Sequence, residues 1–299
     1  MATDPMTRAR ASLYGLALGD ALGSQFFVLD NRGALLTQSL PPAPWQWTDD
    51  TEMACSIYRT LADLGGIDQD TLAARFAAHQ DFGRGYGPAT GRMLRLVRNG
   101  GDWRELAAGL FDGRGSWGNG AAMRVAPLGA WFAGDPLIAA AQARASAEVT
   151  HTHPEAVDGA VAVAVAGAIA AGDGPLSPGP FIDRVLEHVP PGALHDGITQ
   201  ARTLLTIGDP LIAARALGNG NTVAARDTVP FTLWAAARHL DDYARAFWAT
   251  ATAGGDVDTT CAIVGGILGA RSAPPAEWLE RCEPLPAWAL TGEDAIPPR

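Results

Sequence analysis

Two groups of acidic and hydroxyl residues could together bind divalent metal ions. The first covers residues 47–53 (WTDDTEM) and the second covers residues 254–260 (GGDVDTT). Carboxylate and hydroxyl oxygens are the ligands that hard cations such as Mg²⁺ and Mn²⁺ prefer. If the fold brings the groups together, four carboxylates and two or three threonine hydroxyls could hold two metal ions. The sequence therefore indicates a candidate dinuclear metal site.

Each acidic group also precedes an apolar helical pattern, which offers a simpler explanation. Asp49 and Asp50 would occupy the first turn of a helix that begins near Thr48, and Asp256 and Asp258 would open another. Carboxylates are favoured at helix N-termini by the helix dipole and by the free backbone amides there. N-capping would explain one such group best. Capping needs only one acceptor, however, so two sets of paired acids favour a bound positive charge.

The glycine-rich segment 111–120 (FDGRGSWGNG) is a candidate ligand loop. Glycine lets backbone N–H groups approach a phosphate closely. Phe111 and Trp117 offer rings on which a purine could stack. The segment is not a P-loop, because no Gly-Lys-Ser/Thr follows. A tight turn is the simpler explanation for the loop taken alone.

The pair formed by His151 and His153 could ligate zinc. The neighbouring candidate ligands are oxygen-rich, however, and no third nitrogen ligand is evident. A structural or ligand-contacting role for His151 is favoured.

The cysteines indicate free thiols. Cys55, Cys261 and Cys282 form an odd and sparse set, which fits a reducing compartment better than a disulfide framework. They also lack the CxxC or Cys/His spacing of thiolate metal sites.

Composition places the chain among globular proteins. Its 299 residues are 47% hydrophobic and 18% charged, with a net charge of −10. This acidic balance argues against a protein that binds nucleic acid through bulk electrostatics. A nucleic-acid partner is therefore possible but not indicated, and a local cationic or metal site could still bind a nucleotide.

Targeting and membrane signals are weak. Arg8 and Arg10 precede a short apolar run that loosely mimics a signal peptide, but Asp20 ends it and no clean cleavage site follows. The longest apolar run, residues 159–171, is too short for a membrane span. We expect a cytoplasmic protein with no membrane partner, and a monomer.

Hydrophobic periodicity predicts an all-α domain. Apolar residues from Met53 to Leu64 recur at spacings of three and four, and Gly65 ends that helix. Helices are also predicted for residues 71–79, 137–149, 156–171 and 231–252, the last two as central helices. Strand-like alternation is nearly absent. We predict one domain over residues 1–299, with a Pro-rich tail, about residues 272–299, on its surface.

The ordered series of motifs resembles the ADP-ribosylglycohydrolase family. This family includes the dinitrogenase reductase-activating glycohydrolases and the metazoan ADP-ribosyl-acceptor hydrolases. The matching segments are residues 15–23, 48–53, 84–87, 115–124, 150–151 and 254–259. Each motif is moderately specific, and the ordered series is strong because it spans nearly the whole chain.

The resemblance implies a compact orthogonal helical bundle with two Mg²⁺ or Mn²⁺ ions in a central cleft. The positions that match the family's metal ligands are Thr48, Asp49, Asp50, Asp256, Asp258 and Thr259. Those that match its substrate contacts are Gly85, Tyr86, Phe111, Gly115, Ser116, Trp117, Gly118, Asn119 and His151.

The implied activity is hydrolysis of the C1″ glycosidic bond of an ADP-ribosyl adduct, with release of ADP-ribose. Asp49, Asp50 and Asp258 would stabilise an oxocarbenium-like transition state. Arginine, serine, nucleic-acid and small-molecule adducts are all compatible with the motifs, as are both metals.

One position departs from the family pattern. Members that act on protein adducts usually have a metal-adjacent glutamate eight residues after the glycine of the Gly19-Asp20 pair, where this chain has Phe27. Asp30 could take over that catalytic role if the loop folds differently, and Asp81 is a weaker candidate. Phe27 alternatively marks an ADP-ribose-binding module or pseudoenzyme.

Overall fold

Helices form the regular structure of residues 4–291, the part of the chain that the computed structural model describes. No strand occurs in this part, so the all-α prediction is confirmed. Its α-helices are α1 (Pro5–Ser24), α2 (Arg32–Thr37), α3 (Asp49–Leu64), α4 (Gln69–His79), α5 (Pro88–Arg98), α6 (Trp103–Ala108), α7 (Leu110–Gly113), α8 (Ala126–Trp131), α9 (Pro136–Glu148), α10 (Pro154–Ala170), α11 (Pro178–Leu186), α12 (Ala193–Thr203), α13 (Pro210–Leu217), α14 (Ala225–Arg238), α15 (Tyr243–Thr252), α16 (Val257–Gly269), α17 (Ala276–Leu279) and α18 (Ala287–Thr291).

Helices α1 and α16 pack in backbone contact along a seam of small residues. A Cβ atom at Gly15 would lie 2.3 Å from the carbonyl oxygen of Gly265, and one at Gly19 would lie 2.1 Å from that of Cys261. Because these distances are far shorter than any van der Waals contact, only glycine permits the approach. The seam positions the candidate site, since α1 carries Asp20 and the N-terminus of α16 carries the second acidic group.

Helix α10 confirms the predicted central helix. Its residues are buried almost continuously from Ala156 to its C-terminus. Small residues let its neighbours approach closely: a Cβ atom at Gly129 of α8 would lie 2.0 Å from the carbonyl oxygen of Ala164. This buried scaffold supports the loops on either side of it.

Local capping signals predicted several helix ends correctly. Thr48 caps α3, with its hydroxyl 3.4 Å from the amide of Asp50, and Gly65 ends the helix in a left-handed conformation. The prediction of a single helix over residues 231–252 is wrong. A break at residues 239–242 separates α14 from α15, because Asp242 begins a new helix by accepting a hydrogen bond from the amide of Arg245 (3.0 Å).

The described part of the Pro-rich tail is anchored in the fold. The backbone of Trp45 pairs with Arg281 and Glu283 at 2.9 and 2.8 Å, and Trp278 is buried. Residues 292–299 lie outside the described residues, and the single-domain organisation stays a prediction. None of the described helices is long and apolar enough to cross a membrane.

Candidate active site

The two acidic groups meet where α3 and α16 begin. The Thr259 hydroxyl lies 3.4 Å from Oδ2 of Asp50. Carboxylate oxygens of Asp20, Asp50 and Asp258 all lie within 4.8 Å of one another. These helix N-termini open into a central cavity of about 440 Å³. The arrangement therefore concentrates acidic oxygens at one end of a ligand-sized space.

Burial and mutual repulsion raise the pKa values of the clustered carboxyl groups. Burial raises the pKa of Asp20 to about 6, and burial together with the charge of Asp20 raises that of Asp49 to about 7. The pKa values of Asp50 and Asp258 lie well above the usual range, because both groups are buried beside other carboxylates. Burial also raises the pKa of Asp256. Without a compensating cation, this cluster destabilises the fold at neutral pH.

The donor set fits a divalent cation. None of the ion pairs within residues 4–291 involves these five aspartates, so no arginine or histidine in this part of the chain forms a salt bridge with them. Oδ1 of Asp50 is buried and has no hydrogen-bond partner, which is costly for a carboxylate oxygen. An all-oxygen set of carboxylates and hydroxyls matches Mg²⁺ and Mn²⁺.

Asp20 supports the cluster in a way that the sequence reasoning did not foresee. Its side chain is fully buried and accepts hydrogen bonds from the amide and hydroxyl of Thr48 (2.9 and 2.8 Å) and from the amide and hydroxyl of Thr51. Because the Thr48 hydroxyl donates to Asp20 and accepts only from the amide of Asp50, one lone pair of its oxygen remains available to a cation. The sequence does contain one indication of this role: Asp20 is a single aspartate within the apolar pattern of α1, and a buried carboxylate requires hydrogen-bond partners.

The stability of the metal-free protein is expected to fall as the pH rises from about 4 to about 7. The pKa values of Asp20 and Asp49 are about 6 and about 7 in the folded protein, against an ordinary value of 3.8. In this interval the folded state binds more protons than the unfolded chain, so the free energy of unfolding decreases with rising pH. Urea denaturation in EDTA measures this slope, and saturating Mg²⁺ should flatten it. A free energy of unfolding that rose over the same interval in EDTA would contradict the expectation.

The glycine-rich loop is joined to the second acidic group. The Asn119 side-chain amide donates to Oδ2 of Asp256 (2.8 Å), and the backbone amide of Asn119 donates to the carbonyl of Val223 (2.9 Å). Phe111, at the start of the loop, and Trp117 lie with ring centroids 4.7 Å apart. The loop therefore connects an aromatic pair to the acidic cluster across the cavity.

Most of the predicted site residues line this cavity. They are Asp49, Asp50, Gly85, Phe111, Ser116, Trp117, Gly118, Asn119, His151, Asp256, Asp258 and Thr259. Further lining residues were not among the predicted site residues, although Met53, Gly87, Gly120 and Met123 fall within the segments that resemble the family. The remaining ones are Pro88, Ala89, Thr90, Thr222 and Val223. These are mostly small or apolar side chains, whose types carry no chemical signal.

Four predicted residues lie outside the cavity wall. Thr48 is hydrogen-bonded to Asp20. Gly115 packs tightly against Thr152, so that a Cβ atom at Gly115 would lie 2.2 Å from the hydroxyl oxygen of Thr152. Tyr86 donates its hydroxyl proton to Glu52 (2.7 Å). Its side chain contributes to a neighbouring smaller cavity instead.

Asp30 is the fourth predicted residue that does not line the cavity. It is exposed in the 3₁₀ helix Leu29–Asn31, away from the lining residues. The side chain of Phe27 is also exposed, by 50%. The structure therefore does not bring Asp30 together with the acidic cluster.

The two histidines of the 151–153 segment have separate partners. Nδ1 of His151 lies 2.7 Å from the Thr150 hydroxyl, whereas Nδ1 of His153 accepts from the amide of Glu155 (3.2 Å). His153 therefore caps α10, and only His151 lines the cavity.

The three cysteines are free, as predicted. Burial raises the pKa of Cys55 and Cys261 well above the usual range, and that of Cys282 to about 12. The thiols therefore stay protonated and supply no thiolate to the acidic cluster.

Comparisons of sequence and of structure with known proteins point to the same family. Residues 1–296 match a family model described as ADP-ribosylglycohydrolase. The chain is 29% identical to the ADP-ribosylhydrolase ARH3 of Homo sapiens, over 93% of this chain and 90% of that protein. It is 31% identical to the ADP-ribosyl-[dinitrogen reductase] glycohydrolase of Rhodospirillum rubrum, over 49% of this chain and 52% of that protein. A solved structure titled "ADP-ribosylglycohydrolase-related protein complex" superimposes with a TM-score of 0.63 at 26% identity, and covers 94% of this chain and 93% of the other.

Proposed function

Since the chain belongs to the ADP-ribosylglycohydrolase family, we propose that it is a divalent-metal-dependent hydrolase that releases ADP-ribose from ADP-ribosyl adducts. The observation that supports this most directly is the meeting of two acidic groups around the unpartnered Oδ1 of Asp50, at one end of a cavity of about 440 Å³. That volume lies within the usual range for small-molecule sites. Two Mg²⁺ or Mn²⁺ ions are the proposed cofactors.

The proposed ligand would extend across the cavity from the aromatic pair to the acidic cluster. Adenine would stack on Phe111 and Trp117, whose rings already form an apolar surface. The backbone of residues 116–119 would face the diphosphate, because closely spaced amides near glycine suit anions. The ribose that carries the scissile bond would then lie beside Asp49 and Asp258.

The proposed reaction is hydrolysis at C1″. Bound divalent cations would hold the ribose hydroxyls and make a neighbouring water more acidic. As the water oxygen bonds to C1″, the bond from C1″ to the leaving group breaks. One water proton stays on the oxygen that is now bonded to C1″, and the other passes to a carboxylate and from there to the leaving group, so that water and adduct become ADP-ribose and the free acceptor.

Asp49 is the proposed proton acceptor. It lines the cavity, and no side chain in the described part of the chain donates a hydrogen bond to it. Burial and the charge of Asp20 raise its pKa to about 7 in the metal-free protein. Bound cations would lower that pKa, so that Asp49 is ionised and able to accept a proton at neutral pH. Asp50 and Asp258 would stabilise the positive charge that develops on the ribose ring.

One observation favours a second candidate function, an ADP-ribose-binding module without hydrolytic activity. Neither Phe27, at the position of the family's usual glutamate, nor Asp30 lines the cavity. If the reaction needs that additional carboxylate, the protein would bind ADP-ribose but release none.

Release of ADP-ribose from arginine-, serine- and nucleic-acid-linked adducts separates the two functions. The assays are run with Mg²⁺, with Mn²⁺ and with EDTA, beside ADP-ribose binding by calorimetry. We expect release from at least one adduct, lost in EDTA. Metal-dependent binding without release from any adduct would support the binding module, and the absence of both would contradict both functions.

A further inference from the structure

A fully buried arginine lies behind the cavity without an acidic partner. Arg124 donates from Nη2 to the carbonyl of Ser146 (3.1 Å) and to the hydroxyl of Thr150 (2.9 Å). Its guanidinium carbon lies 4.5 Å from the ring centroid of Phe76. None of the ion pairs in residues 4–291 includes it. A buried cation held only by neutral acceptors is costly, so its position calls for an explanation.

The hydrogen bonds of the Thr150 hydroxyl indicate the role of Arg124. A guanidinium can only donate, so the Thr150 oxygen must accept from Arg124. The only other hydrogen-bond partner of that hydroxyl within the described residues is Nδ1 of His151, at 2.7 Å. The oxygen has two lone pairs, so it could also accept from a protonated Nδ1, but the buried hydroxyl proton would then have no acceptor among the described residues. Donation from the hydroxyl to an unprotonated Nδ1 satisfies that proton.

This arrangement selects one form of His151. With Nδ1 accepting, the proton of the neutral ring lies on Nε2. A cationic ring would place a proton on Nδ1 that competes with the Thr150 proton, close to a buried positive charge. Burial and the charge of Arg124 accordingly lower the pKa of His151 to about 3. The ring thus stays neutral throughout the physiological range.

Nε2 of His151 is directed at the glycine loop. Cβ atoms at Gly118 and Gly120 would lie 3.5 and 2.9 Å from Nε2, so these glycines leave the space beside it open. His151 is only 3% exposed. No described residue forms a hydrogen bond with Nε2, and His151 lines the cavity. A ligand oxygen in the cavity could therefore accept a hydrogen bond from Nε2–H.

We propose that Arg124 and Thr150 are positioning residues that hold His151 as a neutral Nε2–H donor to an oxygen of the bound ligand. This rests on the proposed function in one respect, because ADP-ribose supplies the oxygen. The hydrogen bond to the ligand is then independent of pH over the range in which an ordinary histidine titrates.

Paired substitutions at Thr150 test the proposal by ADP-ribose affinity. Thr150→Ser keeps the hydroxyl and should bind within about two-fold of the wild-type protein, whereas the isosteric Thr150→Val should bind about ten-fold more weakly. Thr60→Val is the matched control. Thr60 is equally buried and accepts from Arg75 (3.1 Å), but its hydroxyl donates to the carbonyl of Ser56 instead of a histidine. Equal losses in Thr150→Ser and Thr150→Val, or a loss in Thr60→Val as large as in Thr150→Val, would overturn the proposal.

Nitrogen NMR of ¹⁵N-labelled histidine gives a readout that a merely structural role would not produce. The His151 signals are identified by their loss in His151→Gln. We expect Nδ1 unprotonated and Nε2 protonated, without titration between about pH 5 and pH 8, and a shifted Nδ1 signal in Thr150→Val but not in Thr150→Ser. A protonated Nδ1, or a titrating ring, would contradict the proposal. If the wild-type protein fails to bind ADP-ribose, the proposed function fails, while the spectrum still decides the form of His151.

Discussion

Asp258→Asn is expected to abolish metal-dependent release of ADP-ribose and to stabilise the metal-free protein. The carboxylate of Asp258 lies in the buried cluster with Asp20 and Asp50, where repulsion and burial oppose its charge. Asparagine keeps an acceptor for the Thr259 amide, which is 2.8 Å from Oδ1, but removes the charge that a cation requires. We expect activity to fall by about three orders of magnitude, as when one preorganised electrostatic group is removed from an active site.

The Asp258→Asn variant is tested by measuring both its activity and its stability. ADP-ribose release is measured with saturating metal, and urea denaturation is measured in EDTA near neutral pH. Asp242→Asn is the matched control, because Asp242 also lies at a helix start and accepts from a backbone amide, that of Arg245, which asparagine can still do. The control should leave both quantities unchanged. Full activity in Asp258→Asn would refute its assigned role, and a less stable metal-free variant would refute the repulsion argument.

Gly19→Ala is expected to lower the free energy of unfolding by about 3 kcal/mol or more, at the upper end of overpacking effects. The new methyl carbon would lie 2.1 Å from the carbonyl oxygen of Cys261 and 2.7 Å from its carbonyl carbon. Both contacts are with backbone, so no side-chain rotation can relieve them. The helices α1 and α16 must separate, which would also move Asp20 away from Asp258 and weaken metal binding.

Gly33→Ala is the matched control for this substitution. Gly33 also lies in a helix, but no atom lies within 4 Å of its Cβ position. Alanine should be neutral there or stabilising by up to about 1 kcal/mol, because it favours helix more than glycine does. Urea denaturation and metal titration compare the two variants. Similar stabilities for both would show that the seam tolerates expansion.

The acidic groups and the glycine loop could be predicted from the sequence because each is a short run of chemically informative side chains. Close spacing and a position at predicted helix starts identify the candidate metal ligands Asp49, Asp50, Asp256 and Asp258. Thr48 and Gly65 likewise mark the ends of α3 through local capping chemistry. Signals of this kind need no knowledge of the rest of the fold.

Interactions that join distant segments could not be predicted in the same way. Asp20 contacts Thr48 and Thr51 across about thirty residues, and that pairing depends on how α1 packs. Tyr86 was expected at the ligand, but its hydroxyl is taken by Glu52. The hydrogen bond from Arg124 to Thr150 could not be predicted either, because only the tertiary packing shows which buried polar groups lie next to each other.

The contact between α1 and α16 also determines when the protein can become functional during its own synthesis. These helices cover residues 5–24 and 257–269, so a ribosome must produce nearly the whole polypeptide before they can meet. Until then the small-residue face of α1 has no partner, and contacts so distant in sequence carry a large loop-closure cost. An incomplete chain without α16 lacks Asp256, Asp258 and Thr259 altogether. Translation must therefore pass α16 before the proposed metal site is complete, so that binding of a cation there would be a late step in maturation.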